Sequence, residues 1–304
     1  MINCPLCQSP TKSLFVANDF ITHQDFSVLK CEQCNVGITW SQPNDLNEFY
    51  PSDYRTFAPF TRWLLQNLYR SAVKSWIRNL GFSGKALEIG CGNGWMLNAL
   101  SENGWEVMGF ERNEEQAKRV ARDCGFQVFS GDLGQIKDQK FDLILLFNVI
   151  EHLSHPKEVL QQCRELLTER GVLILNAPNL TSWQSRLTGP DWAHLDVPRH
   201  LFHFSQKSFE VTLESCGMEI TRVYTVSWIH DPYGWVASLL NRIGFEKNRL
   251  TRELTRKNFK GFLNFSGVLL ALGAVVLAVP SLILSLLSWC FKSGALIEVW
   301  AKRK

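Results

Sequence analysis

The sequence carries little excess charge of either sign. Its 32 lysine and arginine residues are almost balanced by 29 aspartate and glutamate residues, which leaves a formal net charge of +3. A nucleic-acid-binding face needs clustered basic side chains, and so mild a balance does not supply one. We therefore expect no nucleic-acid partner.

The sequence also lacks a charged and then apolar signal segment at its start. Its nine cysteines are an odd number in a long chain, whereas secreted disulfide-stabilised domains are short and usually carry an even number. We therefore expect free thiols and a cytoplasmic protein.

Four cysteines form two C-x-x-C pairs, Cys4 with Cys7 and Cys31 with Cys34. This spacing allows four thiolates to reach one tetrahedral ion, and four sulfur ligands leave no position for a reactive water. A pair of redox-active dithiols is the alternative, but no βαβ pattern surrounds either pair. The spacing predicts a structural zinc site in a ribbon-like module over residues 1–50, with a hairpin in the interval 14–29.

Short apolar segments alternate with helical patterns from residue 62 onward. A helical pattern at 62–80 ends at Gly81, and the strand-like segment after it runs into a glycine-rich turn. Further strand-like segments lie at 106–110, 127–129, 141–147, 171–176 and 294–301. This alternation predicts an α/β fold in which an open parallel sheet carries helices on both faces, with ligands at the carboxyl ends of the strands.

Three glycines, Gly90, Gly92 and Gly94, follow the first of these strands, and Glu111 follows the second. Glycines allow close approach of the backbone to a ligand, and an acidic residue at the second position can accept hydrogen bonds from ribose hydroxyls. A dinucleotide-binding turn would need glycine or alanine where this chain has Trp95, so the turn disfavours NAD.

The spacing of Glu88 and the three glycines resembles the first motif of class I S-adenosylmethionine-dependent methyltransferases. Asp132 and Leu133 stand where that family places an acidic residue and a backbone N–H beside the adenine, and segment 148–153 resembles the family's segment beside the methionine part of the cofactor. The resemblance implies a Rossmann-like sheet of seven strands that binds S-adenosylmethionine. The implied cofactor-binding residues are Glu88, Gly90, Gly92, Gly94, Glu111, Asp132, Leu133 and Asn148.

A narrower resemblance rests on the two cysteine pairs, the Tyr-Pro-Ser-Asp-Tyr sequence at 50–54 and the Leu-Asp-Val-Pro-Arg-His-Leu-Phe-His-Phe-Ser sequence at 195–205. These features are similar to a bacterial methyltransferase subgroup, of the methyltransferase domain 23 type, that is often encoded among cell-surface polysaccharide genes. The resemblance implies a small-molecule acceptor, either a sugar or a lipid-linked glycan intermediate. A quinone or polyketide-like acceptor is the alternative among enzymes. From a different class, the chain would be a zinc-ribbon interaction module with an inactive cofactor pocket.

Three of the seven histidines, His194, His200 and His203, lie close together after the predicted fifth strand. Placed there, they would cover the carboxyl edge of the sheet and face the methyl group. Histidine suits proton removal near neutral pH, where the acceptor must lose a proton. We expect His200 to be the leading base candidate, with His194 and His152 as other catalytic candidates.

The same segment holds Asp196 and Arg199, which we expect, together with His203, to bind the substrate. Arg199 is the candidate anchor for an anionic substrate group. The alternative is that the segment caps the helix predicted to start near Ser205 and fixes a long loop.

No charged residue occurs between residues 261 and 291, and basic residues flank this run on both sides. An apolar run of this length can reach into a membrane, and basic residues on both sides favour a cytoplasmic position for both of its ends. Pro280 divides the run into pieces of about 18 and 11 residues. Because the last predicted strand must return to the sheet, we expect a hairpin or an in-plane helical pair in the inner leaflet. The alternatives are a buried dimer interface and a lid over the active site.

We thus expect a ribbon at 1–50, a methyltransferase core at 60–230 with 294–304, and a basic and apolar insertion at 231–293. We expect the protein to be peripheral or monotopic at the cytoplasmic face of the inner membrane.

Overall fold

The computed structural model describes residues 2–43, 45–50, 58–228, 230–255 and 260–304. The strands in chain order are β1 (Thr11–Asn18), β2 (Asp25–Cys31), β3 (Gly37–Trp40), β4 (Lys85–Ile89), β5 (Glu106–Phe110), β6 (Gln127–Phe129), β7 (Phe141–Phe147), β8 (Leu167–Pro178), β9 (Phe202–His203), β10 (Met218–Tyr224) and β11 (Leu296–Arg303). The α-helices are α1 (Pro59–Leu80), α2 (Trp95–Ser101), α3 (Glu114–Cys124), α4 (Pro156–Leu166), α5 (Trp183–Thr188), α6 (Gln206–Ser215), α7 (His230–Arg242), α8 (Arg249–Thr255) and α9 (Phe265–Cys290).

The central sheet has seven strands in the order β10, β11, β8, β7, β4, β5 and β6. Strands β4 to β8 pair in parallel, whereas β11 is antiparallel to both β8 and β10. The predicted Rossmann-like sheet of seven strands is confirmed, and the strand predicted at 294–301 is present as β11. The predicted open parallel sheet is present in β4 to β8. Strand β11 adds an antiparallel pairing, because it enters from the carboxyl edge of β8, where Leu296 pairs with Pro178.

Both faces of the sheet are covered, as the alternating pattern requires. Along β7, Leu143 and Leu145 pack into one apolar cluster, while Ile144 and Leu146 pack into another on the opposite face. Successive side chains of a strand point to opposite faces, so a strand buried on both sides reads as a continuous apolar run. The helix predicted at 62–80 is present as α1, which ends at Gly81 in the left-handed region (φ +74°).

The N-terminal module is an antiparallel sheet that also includes part of the core. Strands β1 and β2 form the predicted hairpin, β3 pairs with β2, and β9 completes the order β1, β2, β3, β9. Gly37 pairs with His203 and Ile38 with Phe202. The cysteine-bearing module is therefore joined by backbone pairing to the segment that holds the predicted catalytic histidines.

The apolar run forms one continuous helix, α9, with Pro280 inside it. The expected hairpin or helical pair is therefore wrong. A proline removes a single backbone donor, and an apolar helix of 26 residues retains its other hydrogen bonds. Helix α9 packs along α7 and leads directly into β11, so it lies against the domain.

Helix α9 buries small polar side chains and exposes large apolar ones, which is the reverse of the usual distribution. Ser281, Ser285 and Ser288 are at most 1% exposed. The large apolar side chains that are 43 to 80% exposed are Phe265, Val268, Leu269, Leu272, Val275, Val276, Val279, Leu282, Ile283, Leu286 and Leu287. Their spacing of three and four residues places them on one stripe. Among the described residues, α9 is the one helix long and apolar enough to cross a membrane.

Candidate functional site

The four predicted zinc ligands come together at one end of the N-terminal module. The Sγ atoms of Cys4, Cys7, Cys31 and Cys34 all lie within 4.8 Å of one another. Cys4 Sγ is 3.7 Å from Cys34 Sγ, and Cys7 Sγ is 3.4 Å from Cys31 Sγ. Two sulfurs bound tetrahedrally to one zinc ion are about 3.8 Å apart. The four cysteines therefore fit a tetrahedral ion.

The electrostatics of the cluster favour a thiolate. The side-chain hydrogen bond from Cys34 lowers the pKa of Cys4 to about 5, and the same contact raises the pKa of Cys34. Because zinc binds thiolates, the first deprotonation that binding requires occurs readily at Cys4.

The glycine turn after β4 has the backbone that only glycine adopts without strain. Gly90, Gly92 and Gly94 have φ values of +72°, +52° and +70°. A Cβ atom on Gly90 would lie 2.4 Å from Cγ2 of Val149, so the turn is also closely packed against the segment after β7. The turn leaves no room for a side chain at Gly90.

Glu111, at the end of β5, holds this turn in place. Its Oε2 accepts a hydrogen bond from the Gly92 N–H at 3.1 Å, and its Oε1 accepts one from the Asn113 N–H at 3.2 Å. A carboxylate so placed retains acceptor capacity for ribose hydroxyls.

The remaining predicted cofactor residues lie at the same edge. Asp132 follows β6 and caps a short helix by accepting a hydrogen bond from the Gly134 N–H at 2.8 Å, with Leu133 buried beside it. Asn148 follows β7 in the left-handed region (φ +53°). Its N–H donates to Oδ1 of Asn176 at 2.7 Å.

Glu88 is 5% exposed within β4, and burial raises its pKa well above the usual value. Glu88 lies in the strand that leads into the glycine turn, and a backbone hydrogen bond from Leu97, on α2, partly offsets the effect of burial.

Strand order brings these positions together. Strands β7, β4, β5 and β6 are consecutive in the sheet and parallel. Their carboxyl ends carry Asn148, the glycine turn, Glu111 and Asp132. The four segments therefore line one continuous edge, where an open α/β sheet binds its ligands.

A polar cluster lies beside this edge and is called the buried polar cluster below. It consists of Glu151, Asp196 and His200, which are buried, and His152, which is partly buried. Glu151 and His152 belong to the short helix Ile150–His152 that follows β7. His200 Nε2 lies 4.0 Å from Glu151 Oε1 and 3.9 Å from Asp196 Oδ2. The His152 and His200 ring centroids are 4.7 Å apart. The structure thus unites His200 and His152, two of the predicted catalytic residues.

Arg199 is fully buried, and its guanidinium is committed to internal contacts. It donates from Nε to Asp196 Oδ1 at 2.8 Å, from Nη2 to Asp19 Oδ1 at 2.7 Å and from Nη1 to the Phe49 carbonyl oxygen at 2.9 Å. The expectation that Arg199 anchors the substrate is therefore corrected: Arg199 joins the N-terminal module to the segment 195–205.

Asp196 takes part in the same contact with Arg199. Burial opposes its charge, but the adjacent Arg199 and His200 outweigh that effect and hold the pKa of its carboxyl below the usual range. Asp196 is therefore a fixed negative charge next to His200, and the expectation that it binds substrate is revised.

His203 and His194 are placed differently from His200. His203 is 1% exposed, with its Nε2 3.0 Å from Thr39 Oγ1, and burial lowers its pKa to about 3. His194 Nε2 lies 3.2 Å from the His230 carbonyl oxygen, and burial lowers its pKa to about 4. Both rings are neutral packing elements near pH 7, so the expected roles in substrate binding for His203 and in catalysis for His194 are revised.

Sequence reasoning missed Asp19, Thr39 and Glu151. Asp19 and Thr39 contact residues that are more than 150 positions away in the sequence. Asp19 accepts a hydrogen bond from Arg199, and Thr39 Oγ1 donates one to the His200 carbonyl oxygen at 2.6 Å. No local pattern marks such contacts. Glu151 did carry a signal, because it directly precedes His152 after a buried strand.

Comparisons with known proteins bear on this site. Residues 64–223, more than half of the chain, match a family model described as a methyltransferase domain. A ubiquinone biosynthesis O-methyltransferase of Cereibacter sphaeroides is 29% identical over 137 residues, which are 42% of this chain and 56% of the relative. One from Actinobacillus pleuropneumoniae serotype 7 is 29% identical over 139 residues, 41% of this chain and 59% of the relative. The chain thus spans less than two thirds of the length of these curated relatives.

A solved structure, a SAM dependent methyltransferase from Archaeoglobus fulgidus, superposes with a TM-score of 0.50. The superposition covers 78% of this chain and 94% of that chain at 18% sequence identity. At this identity the likeness supports the fold alone.

Proposed function

The chain belongs to the methyltransferase-domain family, and from this premise we propose that it transfers the methyl group of S-adenosylmethionine to a small lipid-soluble or lipid-linked acceptor. The acceptor atom forms a bond to the methyl carbon while the carbon–sulfur bond breaks, and the electron pair of that bond remains on sulfur. Because the methyl group is already activated, holding the two reactants in line supplies much of the rate.

One observation carries the proposal of the cofactor. The glycine turn, Glu111, Asp132 and Asn148 occupy four consecutive parallel strand ends, in the order in which the class I resemblance assigns them to the cofactor. The positive φ of Gly92 and its hydrogen bond to Glu111 keep the backbone close to the carboxylate that would bind the ribose. This arrangement supports S-adenosylmethionine binding along the edge.

We assign promotion of proton loss from the acceptor to the buried polar cluster, with His200 at its centre and His152 beside it. His200 lies between the carboxylates of Glu151 and Asp196, which favour positive charge at this position. An acceptor hydroxyl must lose its proton during methylation, so a site of this kind suits O-methylation.

Two acceptor classes remain. The resemblance to the polysaccharide-associated subgroup supports a sugar or lipid-linked glycan intermediate. The curated relatives carry the name ubiquinone biosynthesis O-methyltransferase, which supports the alternative, a quinone-like molecule with a free hydroxyl. Because the named relatives share sequence with this chain, we favour the quinone-like acceptor.

The apolar stripe of α9 supports contact with the inner leaflet. Its exposed valine, leucine and isoleucine side chains suit hydrocarbon, and α9 returns to the sheet at β11. We therefore propose a monotopic protein at the cytoplasmic face, with α9 lying along the membrane. Both acceptor classes can be embedded in such a membrane.

We further propose that the four cysteines bind a structural zinc ion. Their donor set and sulfur separations fit zinc, and the site has no position for substrate. Zinc would fix the start of the module whose strand β3 pairs with β9.

The test uses purified protein in phospholipid vesicles with S-adenosylmethionine labelled in its methyl group. An isoprenoid quinol with a free hydroxyl and a polyprenyl-linked sugar are offered separately, with the Glu111→Ala protein as the matched control. Label in the quinol with wild-type protein alone supports the favoured acceptor, and label in the sugar lipid reverses the choice. Cofactor binding without label in either lipid contradicts both acceptors, and no cofactor binding would favour the interaction-module alternative.

A further inference from the structure

A second group of potential metal ligands lies within the buried polar cluster, apart from the cysteines. One ligand atom each from Glu151, His152 and His200 lie within 4.8 Å of one another. Nitrogen and oxygen ligands bind first-row metal ions at about 2.1 Å, so two ligands on opposite sides of an ion are about 4.2 Å apart. His200 Nε2 and Glu151 Oε1, at 4.0 Å, match that separation. The ligand atom of His152 lies within 4.8 Å of both.

The orientation of His152 is that of a metal-binding histidine. Its Nδ1 lies 2.8 Å from the carbonyl oxygen of Arg199. A carbonyl oxygen only accepts, so Nδ1 carries the proton and Nε2 of the neutral ring carries the lone pair. Metal-ligating histidines usually donate their other ring N–H to a carbonyl or carboxylate in this way, because the contact fixes both tautomer and ring orientation.

The charges around the three side chains favour a cation. Glu151 is 1% exposed, and Asp196 Oδ2 lies 3.9 Å from His200 Nε2. The guanidinium of Arg199 is bound by both Asp196 and Asp19, and Lys247 also interacts electrostatically with these two carboxylates. With Glu151, three carboxylates are thus present for two cations. A divalent ion at the centre of the cluster would be stabilised by direct bonding to Glu151 and by the field of Asp196.

We propose that Glu151, His152 and His200 bind a divalent first-row transition-metal ion beside the methyl acceptor. Two imidazoles and one carboxylate are a donor set for ions such as Mn²⁺ and Fe²⁺ rather than Ca²⁺. This inference rests on the proposed function and specifies how the cluster promotes proton loss. The bound ion lowers the pKa of a coordinated acceptor hydroxyl, the proton passes to solvent water, and the oxygen then attacks the methyl carbon.

The test measures Co²⁺ binding directly, without any acceptor. The protein is dialysed against a mild chelator, and elemental analysis checks that its cysteine-bound metal is retained. Co²⁺ added to the wild-type protein is expected to occupy one site, with weak visible bands and without the strong near-ultraviolet absorption of cobalt–thiolate bonds. Glu151→Gln and His200→Ala should each weaken this binding at least about tenfold, because each removes one of three ligands.

The matched control is His155→Ala. His155 Nδ1 lies 3.8 Å from Glu158 Oε1, a histidine–glutamate pair at the surface with side chains that are 74% and 72% exposed. This variant should bind Co²⁺ as the wild type does. S-adenosylmethionine titration of every variant reports folding of the core and tests the proposed function separately.

The proposal is overturned if wild-type protein that binds S-adenosylmethionine takes up no Co²⁺ beyond the cysteine site. It is equally overturned if Glu151→Gln binds Co²⁺ as tightly as the wild type. If the wild-type protein takes up Co²⁺ but does not bind S-adenosylmethionine, the proposed function is contradicted and the metal site is supported.

Discussion

Burial determines what individual polar side chains near the candidate site can do. His203 and His194 are enclosed, so both rings are neutral near pH 7. The Nε2 atom of His200, three residues from His203, lies within 4.0 Å of carboxylate oxygens of Glu151 and Asp196. Three histidines within ten residues of sequence thus have different chemistry, because the chemistry of an imidazole depends on neighbouring charges and on solvent access.

We expect His203→Gln to reduce the dependence of stability on pH. Burial lowers the pKa of His203 to about 3, while an unfolded histidine titrates near 6.5. Between these values only the unfolded chain binds the proton, so stability falls as the pH falls from 7 to 5, by about 2 kcal/mol for this histidine. The difference between the unfolding free energies at pH 7 and at pH 5 should be about 2 kcal/mol smaller in the variant than in the wild type.

The exposed His155 provides the control for that measurement. His155→Gln changes the same residue type where solvent surrounds the ring. The pH dependence of this variant should equal that of the wild type. An unchanged pH dependence in His203→Gln would contradict the neutral, buried state assigned to His203.

Gly90 and Gly125 have the same backbone conformation, so alanine variants of the two separate the cost of backbone strain from the cost of close packing. Gly90 and Gly125 have φ values of +72° and +73°, but a Cβ atom at Gly90 meets Val149 at 2.4 Å, whereas one at Gly125 meets nothing within 4 Å. Gly125→Ala should cost about 1 to 2 kcal/mol of stability from left-handed backbone strain. Gly90→Ala should cost about 1 to 3 kcal/mol more and weaken cofactor binding. Equal unfolding free energies for the two variants would contradict the packing of the turn against Val149.

At the scale of elements, the N-terminal module supports the segment 195–205, which holds His200. Strand β3 pairs with β9, Thr39 Oγ1 donates to the His200 carbonyl oxygen, and Asp19 forms an ion pair with Arg199 in which both side chains are fully buried. The position of His200 therefore depends on a module that is distant in sequence.

We expect Asp19→Asn to destabilise the protein by about 3 to 5 kcal/mol, because it leaves Arg199 short of one buried partner. Chemical denaturation measures the change. Glu102→Gln is the matched control, since the Arg70–Glu102 pair has a similar 2.8 Å distance but side chains that are 41% and 47% exposed. That change should cost less than about 1 kcal/mol. Equal costs for the two variants would mean that the Asp19 contact does not hold the module to the core.

The exposed stripe of α9 is the element that we expect to contact lipid. Replacing Val275, Val276 and Val279 with serine removes apolar side chains that are 73%, 71% and 64% exposed. Each replacement should cost about 1 kcal/mol of transfer into hydrocarbon, so co-sedimentation with phospholipid vesicles should weaken at least tenfold.

Val16→Ser is the control, because Val16 is 55% exposed on β1, outside the stripe. Vesicle binding should not change in this variant. If the triple variant binds vesicles as the wild type does but changes from dimer to monomer, the stripe is an interface between copies and the membrane proposal is wrong.

At the scale of the whole molecule, the predictable features are those that repeat locally. The strands β4 to β7, the turn at Gly90 and the position of Glu111 follow from apolar runs and glycine spacing. The sheet order then brings these positions to one edge. The cysteine pairs were predictable for the same reason, because their spacing alone defines a tetrahedral donor set.

Features that depend on distant contacts were not predictable. Arg199 has the residue type of a substrate anchor, and only its contact with Asp19 in the folded chain shows that it is internal. The pairing of β9 with β3 joins residues that are far apart in sequence. Pro280 was expected to break a helix, yet the remaining hydrogen bonds of α9 and its packing on α7 outweigh one missing donor. In each case, contacts that form only in the folded chain outweigh what the local sequence indicates.

The proposed methyl transfer depends on S-adenosylmethionine binding at the strand edge. Calorimetric titration of the detergent-purified protein with S-adenosylmethionine and S-adenosylhomocysteine, with NAD as the control ligand, tests it directly. We predict that both sulfur compounds bind and NAD does not. Glu111→Ala should weaken binding about 10- to 100-fold, because it removes charge-assisted hydrogen bonds to the ribose. Glu114→Ala, at an exposed pair with Lys118 on α3, should bind as the wild type does. Failure of the wild-type protein to bind either sulfur compound, or equal binding by Glu111→Ala, would contradict the account.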